Sequence, residues 1–238
     1  MPHTLFISDL HLTADRPHIN QQFFEFIEQV APKSEALYIL GDLFEYWAGD
    51  DDTWDALNTS VAAALAQLTQ RSVPVYFMHG NRDLLIGRAF ASRCGMQLIP
   101  DPIVIDLYGA RTLLMHGDTL CTDDIDYQKF RAYARNPETQ KQFLQQLLAT
   151  RHQQLRGMRA QSEVSKSVKA AAIMDVSPAA VEIVLRSHDY PRLIHGHTHR
   201  PARHIHTVDG RVCERWVLSD WYESGRYLRC DARGCAEG

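Results

Sequence analysis

Short apolar runs bounded by glycine and polar residues recur along the chain: Thr4 to Ser8, Ala36 to Leu40, Pro74 to Met78, Ile103 to Leu107, Thr112 to Met115 and Arg192 to Ile194. Each is too short for a helix and reads as a buried strand. Between them the spacing turns helical. Ile19, Phe23, Phe26, Ile27 and Val30 predict a helix ending near Ala31-Pro32, and Leu57, Val61, Leu65 and Leu68 predict another. The run Asp50-Asp51-Asp52 reads as the start of that second helix, where carboxylates suit the dipole. From Asp123 to Ile173 the chain is Gln-rich and helical, with apolar faces built from Tyr127, Phe130, Tyr133, Phe143, Leu144, Leu147, Leu148 and Leu155. A last helix is expected over Ala179 to Arg186. Arg203 to Val208, Arg211 to Ser219 and Gly225 to Cys230 then close the chain as antiparallel strands, turning at Asp209-Gly210. The expected class is α/β (α+β), one domain over 1–238 with a helical insertion at 123–173.

The residues at the ends of the strands are more informative than the strands themselves. Asp9-Leu10-His11 comes after the first, Gly41-Asp42 after the second, His79-Gly80-Asn81-Arg82-Asp83 after the third and His116-Gly117-Asp118 after the fifth. The sixth runs into Ile194-His195-Gly196-His197-Thr198-His199-Arg200. Residues two apart on an extended or turning segment face the same way, so Asp9 with His11 can chelate one ion, and His197 and His199 can reach two neighbouring ones. Glycine before Asp42 lets that carboxylate project from the strand end, where it can bridge two metals. Asn81 offers a neutral carbonyl oxygen and Arg82 a forked cation suited to phosphate. Taken singly, each cluster is as well explained by a turn; five of them in a fixed order after strands are not. Two carboxylates, one amide and four imidazoles, with one carboxylate shared, make two sites of four protein groups each. Oxygen and nitrogen donors without thiolate suit manganese, iron or zinc over magnesium or calcium.

Composition narrows the setting. The 238 residues are 45% hydrophobic, ample for a core, and the net charge of −4 argues against a protein that coats nucleic acid. Five cysteines (Cys94, Cys121, Cys213, Cys230, Cys235) without a C-x-x-C pair make a poor disulfide framework and point to a reducing cytosol. The start has no basic n-region, and no stretch approaches the ~20 apolar residues of a membrane span. Charge is unevenly spread. Tyr127 to Ala170 holds nine basic residues against two acidic, a net of +7, which leaves −11 on the rest. A basic amphipathic insertion on an acidic body suits an anionic lipid surface or a phosphate-bearing ligand. The expectation is a cytoplasmic protein bound peripherally to the inner face of the membrane, with no nucleic-acid or obligate protein partner.

The pattern D-x-H, G-D, G-N, H and G-H-x-H resembles the calcineurin-like metallophosphoesterase superfamily, with Arg82 where that superfamily usually has His. Leu37 to Glu45, His79 to Asp83, Met115 to Asp124 and Leu193 to Pro201 narrow the resemblance to the UDP-2,3-diacylglucosamine pyrophosphatases of the lipid A pathway. It implies two mixed β-sheets in a sandwich flanked by helices. It further implies two Mn²⁺ ions, one on Asp9, His11, Asp42 and His199, the other on Asp42, Asn81, His116 and His197. Substrate contacts would fall on Asn81, Arg82, Asp124, Ser162, Lys166, Lys169 and His197. His195 lies outside the ligand pattern and reads as structural, and His79 has no assigned role.

Chemistry agrees with that assignment. Two ions about 3.5 to 4 Å apart activate a bridging water for in-line attack, so no protein nucleophile is required. Arginine at position 82 cannot donate a proton and serves as a phosphate stabiliser, which a pyrophosphate with its stable leaving group tolerates. The implied products are UMP and 2,3-diacylglucosamine 1-phosphate (lipid X). Two other readings share the residues: a generalist nucleotide phosphodiesterase, and an inactive scaffold on the same fold.

Overall fold

Alternation along each strand sends neighbouring side chains to opposite faces. In β1 (Thr4–Ile7), Leu5 and Ile7 point to one core and Phe6 to another. The computed structural model describes residues 1–168, 175–223 and 225–238, and for residues 163–168 the backbone only. Its first sheet runs β11 (Gly234–Glu237), β10 (Leu228–Asp231), β1, β2 (Ala36–Ile39), β3 (Val75–Met78) and β4 (Gln97–Ile99). The second runs β5 (Ile103–Leu107), β6 (Ala110–Met115), β7 (Arg192–His195), β9 (Arg211–Val217) and β8 (Ala202–Val208).

Three apolar layers hold this together. Phe6, Met78 and Leu228 from the first sheet meet Leu107, Leu114, Ile194 and Trp216 from the second. The first sheet's other face carries Leu5, Leu37, Val75 and Phe77 against α1 (Pro17–Glu25), α2 (Ala56–Gln70) and α3 (Arg88–Cys94), through Phe23, Leu65 and Phe90. Leu113 and Leu193 of the second sheet pack on Val181 and Leu185 of α7 (Pro178–Ser187). Each fully buried side chain of this size contributes roughly 1.5–3 kcal/mol. The fold is the expected sandwich of mixed sheets flanked by helices. Between β6 and β7 lie α4 (Ile125–Ala134), α5 (Pro137–Leu144) and α6 (Leu148–Val168).

Several local expectations change. The helix expected to Val30 is α-helical only to Glu25, then widens over Phe26–Val30 and tightens over Ala31–Lys33 around Pro32. The acidic run does not start α2, whose cap is Asp55, accepting from Asn58 N–H at 2.9 Å. Asp50 instead accepts the N–H groups of Gly87 and Phe90, both at 2.9 Å, at the start of α3. Asp51 pairs with Arg151, and Asp52 with His152 at 2.9 Å, tying α6 to the body. Such long-range pairing leaves no trace in local periodicity.

The last expected strand leaves its sheet: β10 pairs antiparallel with β1, Thr4 opposite Cys230, while β8 and β9 pair in the second sheet. Alternation shows that a strand has a buried face, not which sheet buries it. Cys230 and Cys235 face each other across the β10–β11 hairpin and are disulfide-bonded, a pairing set by hairpin register that a search for C-x-x-C cannot find.

Candidate metal centre

Parallel pairing of β1, β2 and β3, and of β6 with β7, brings the C-terminal ends of these strands to one end of the sandwich. Backbone hydrogen bonds fasten the loops there: Asp9 N–H to Gly41 O (3.0 Å), His11 N–H to Asp42 O (2.9 Å) and Gly196 N–H to His116 O (2.9 Å). Asp9, His11, Asp42, His197 and His199 all have φ between 51° and 71°. For residues other than glycine this left-handed backbone costs of order 1 kcal/mol or more each, and such residues cluster at functional sites. Close approach also demands glycine, since a Cβ at Gly80 would collide with Asp42 and one at Gly196 with Asp9 and Ser8.

Two donor clusters result, Asp9 with His11 and His199, and Asp42 with His116 and His197, the donor atoms of each lying within 4.8 Å of one another. His11 Nε2 is 3.2 Å from His199 Nε2. Asn81 Oδ1 is 3.2 Å from His116 Nε2 and 3.1 Å from His197 Nδ1, which places it in the second cluster. Asp42 lies between the two, Oδ2 at 3.8 Å from His11 Nε2 and Oδ1 at 3.9 Å from His116 Nε2. All seven expected ligand residues therefore converge.

Neighbours aim the lone pairs inward. His116 Nδ1 donates to Leu40 O at 2.9 Å and His199 Nδ1 to Asp220 Oδ2 at 3.1 Å, which turns each Nε2 lone pair toward the clusters. Asp9 Oδ2 accepts from Ser8 Oγ (2.6 Å) and His197 N–H (2.8 Å), leaving Oδ1 facing His199 Nε2 at 3.5 Å. Burial opposes charge on His116 and His199, yet nearby carboxylates (Asp42, Asp118 and Asp9 for the first, Asp220 and Asp9 for the second) push both up to about 9. The same carboxylate field attracts a divalent cation, which on binding displaces the Nε2 proton. His197, buried and beside His116, is pushed down to about 3 and keeps its lone pair. The donor set, its convergence and its field fit a pair of divalent ions.

The family model for calcineurin-like phosphoesterases matches residues 2–201. UDP-2,3-diacylglucosamine hydrolase of Aromatoleum aromaticum is 54% identical over 97% of this chain and 94% of its own length. The enzyme of that name from Xanthomonas campestris pv. campestris is 52% identical over 98% of this chain and 97% of its own, and that from Aeromonas salmonicida 52% over 95% and 89%. The chain belongs to the calcineurin-like phosphoesterase family.

In this phosphoesterase the residues that support the ligands carry little or no signal in the sequence. Asp83 sits inside the His79 to Asp83 motif without an expected role; its carboxylate, fully buried, accepts from Leu43 N–H (2.7 Å) and Gly80 N–H (2.9 Å), binding two ligand loops together. Burial and Asp42 push its carboxyl up to about 7. Asp220 lies far from any motif and gave no signal. His195 is buried and accepts from Arg215 Nη1 at 3.1 Å, and His79 donates to Ile86 O at 2.6 Å.

Beside the second cluster opens a cavity of about 730 Å³, under α4, α5 and α6. Asn81, Arg82, Glu45 and Arg159 line its polar part, and Leu85, Phe130, Phe143, Leu155 and Met158 its apolar part. Of the expected substrate contacts, Asn81, Arg82 and Ser162 line this cavity, while Asp124 caps α4 through Tyr127 N–H at 3.1 Å. His197 sits in the second cluster. Lys169 and the side chain of Lys166 lie outside the described residues. Much of the basic charge of these helices is met by the body: Arg131 and Arg135 pair with Asp118, Arg151 with Asp51 and Arg159 with Glu45.

Proposed function

We propose that this chain hydrolyses the pyrophosphate bond of UDP-2,3-diacylglucosamine with two Mn²⁺ ions, giving UMP and 2,3-diacylglucosamine 1-phosphate in lipid A biosynthesis. One observation carries the reading: a seven-residue oxygen and nitrogen donor set lies beside a largely apolar cavity, whose wall includes one of the donors, Asn81, and its neighbour Arg82. A phosphodiester alone requires only the donors. A greasy pocket of this size beside them fits a lipid-bearing phosphate ester. The names carried by relatives more than half identical to this chain support the same substrate.

In this reading Asp9, His11, Asp42 and His199 hold one ion, and Asp42, Asn81, His116 and His197 the other. When bound, the pair supplies an activated water and a clamp on a phosphate oxygen. The chain's own residues do the rest. The Arg82 guanidinium stabilises charge on the phosphates, and its backbone N–H donates to Asp42 Oδ1 at 2.8 Å, which keeps cation and shared carboxylate in register. Ser162, with Lys166 and Lys169 further along, is assigned to the substrate's polar head. Leu155, Phe143 and Phe130 exclude water and accept acyl chains.

The span 123–173 acts as an insertion in what is otherwise one phosphoesterase domain; α4, α5 and α6 form its described part, and 169–173 lie outside the described residues. Among the described residues no helix is long and apolar enough to cross a membrane. Exposed Leu147, Tyr133 and Ile125 on or beside these helices support peripheral binding at the cytoplasmic face of the inner membrane. The test is Mn²⁺-dependent release of UMP from the diacylated UDP-sugar, run beside a simple aryl phosphodiester. Strong preference for the lipid substrate supports the reading; equal rates on both sink it in favour of a generalist, and no rate on either in favour of a scaffold.

A further inference from the structure

Helix α4 grips one of the two donor clusters. Asp118, two residues beyond His116 and fully buried, accepts at Oδ2 from Arg131 Nε (2.8 Å), the Tyr127 hydroxyl (3.0 Å) and Arg135 Nη2 (3.5 Å). Residues 127, 131 and 135 are four apart, so they form one face of the helix. Gln128 on the same side donates to the carbonyls of Asp118 (2.8 Å) and Cys121 (3.0 Å). Arg135 reaches further, donating to the carbonyls of His79 and Gly80, both at 3.3 Å, immediately before Asn81. The Tyr127 ring lies 5.5 Å from that of His197. Asn81, His116 and His197 are all donors of the same cluster, and α4 braces each of their segments.

The other cluster is braced differently. Ser8 Oγ holds Asp9 at 2.6 Å, Asp220 holds His199 at 3.1 Å, and the Tyr222 ring stacks 5.7 Å from His11. Each of these supports comes from the body of the sandwich. The groups that orient a metal's ligands typically change its affinity by 10- to 100-fold. An asymmetric set of supports therefore predicts asymmetric affinities once α4 is disturbed.

We propose that docking of α4 on the Asp118 carboxylate sets the affinity of the second ion, held by Asp42, Asn81, His116 and His197. Arg135 is the positioning residue that joins helix to ligand loop. Linkage is reciprocal, so filling that site also stabilises α4 in its place over the cavity. The inference rests on the two-ion reading above and adds an order to it: one ion belongs to the sandwich, the other to the sandwich and α4 together.

The test uses full-length protein titrated with Mn²⁺ alone, free ion being followed by electron paramagnetic resonance, and hydrogen exchange of α4 measured at each stage. Wild type should bind two ions, with protection of α4 rising as the second step fills. Arg135→Ala should weaken one step about 10- to 100-fold, hold the other within about threefold, and lose the linked protection, while Arg135→Lys restores part of both. Tyr127→Phe, which removes only a hydroxyl, should weaken the same step by less and serves if Arg135→Ala folds poorly. Equal weakening of both steps, or of neither, overturns the inference and leaves the two-ion reading standing. A wild type that binds fewer than two ions overturns both.

Discussion

Asp220 accepts a hydrogen bond from His199 Nδ1 at 3.1 Å, so a residue outside every motif decides which nitrogen of a candidate ligand faces the metal centre. Asp220→Ala frees the ring to rotate and to change tautomer. Affinity at the Asp9, His11 and His199 cluster should fall by roughly 10- to 100-fold. Asp220→Asn, whose amide oxygen still accepts, should lose less. Mn²⁺ titration of the three proteins decides this; unchanged affinity in the alanine variant would show that the contact is dispensable.

Gly196 offers a sharper steric test. Any Cβ there meets Asp9 Oδ2 and Ser8 Oγ, and Asp9 already sits in the left-handed region. Gly196→Ala should displace the Asp9 carboxylate, cutting kcat at least tenfold with the circular dichroism spectrum retained. A fully active variant would mean that the ligand loops have slack that their hydrogen bonds do not suggest.

The apolar cavity makes a prediction about chain length. Phe143 lines its greasy part. Phe143→Ala removes side-chain area worth roughly 1.5–3 kcal/mol when fully buried against a ligand, and so should raise KM for a long-chain diacyl substrate about tenfold or more. A short-chain analogue, which does not reach that wall, should be affected far less. Equal effects on both would place the acyl chains elsewhere.

Glu45 lies buried between Arg16 (3.1 Å) and Arg159, and burial raises its pKa more than the guanidiniums of Arg159, Arg82 and Arg16 lower it. A carboxylate whose folded pKa exceeds its unfolded value of about 4.5 contributes stability below that value and loses it as pH climbs through the folded pKa. Glu45→Gln cannot ionise and escapes the loss. The melting temperature of the variant relative to wild type should therefore become more favourable from about pH 4.5 to neutrality. Scanning calorimetry across that window checks the sign; the opposite trend would mean that the arginines outweigh burial.

The strands that carry the candidate ligands were legible because each pairs a short apolar run with a polar cluster, a signal contained within ten or so residues. Asp9, Asp42, Asn81 and His116 could be read for that reason. Contacts that arrive from far away could not: Asp220 on His199, Asp118 under α4, and Asp51 on Arg151, a hundred positions apart. Short elements were also missed. Helix α3 spans seven residues and β4 three, too few for a period to emerge. The destination of β10 depended on which sheet offered a free edge, which is a property of the assembled fold.

Each donor cluster draws on both sheets: Asp9 and His11 from the first with His199 from the second, and Asp42 from the first with His116 and His197 from the second. An ion held there is a rivet across the sandwich as well as a catalyst. The unfolded chain has no such constellation, so tight binding must add to folding free energy, by about 4 kcal/mol for each site at a thousandfold excess over its Kd. Chelation should therefore lower the melting temperature as well as abolish turnover, and the two halves of the sandwich should loosen from each other at the end where the chemistry takes place.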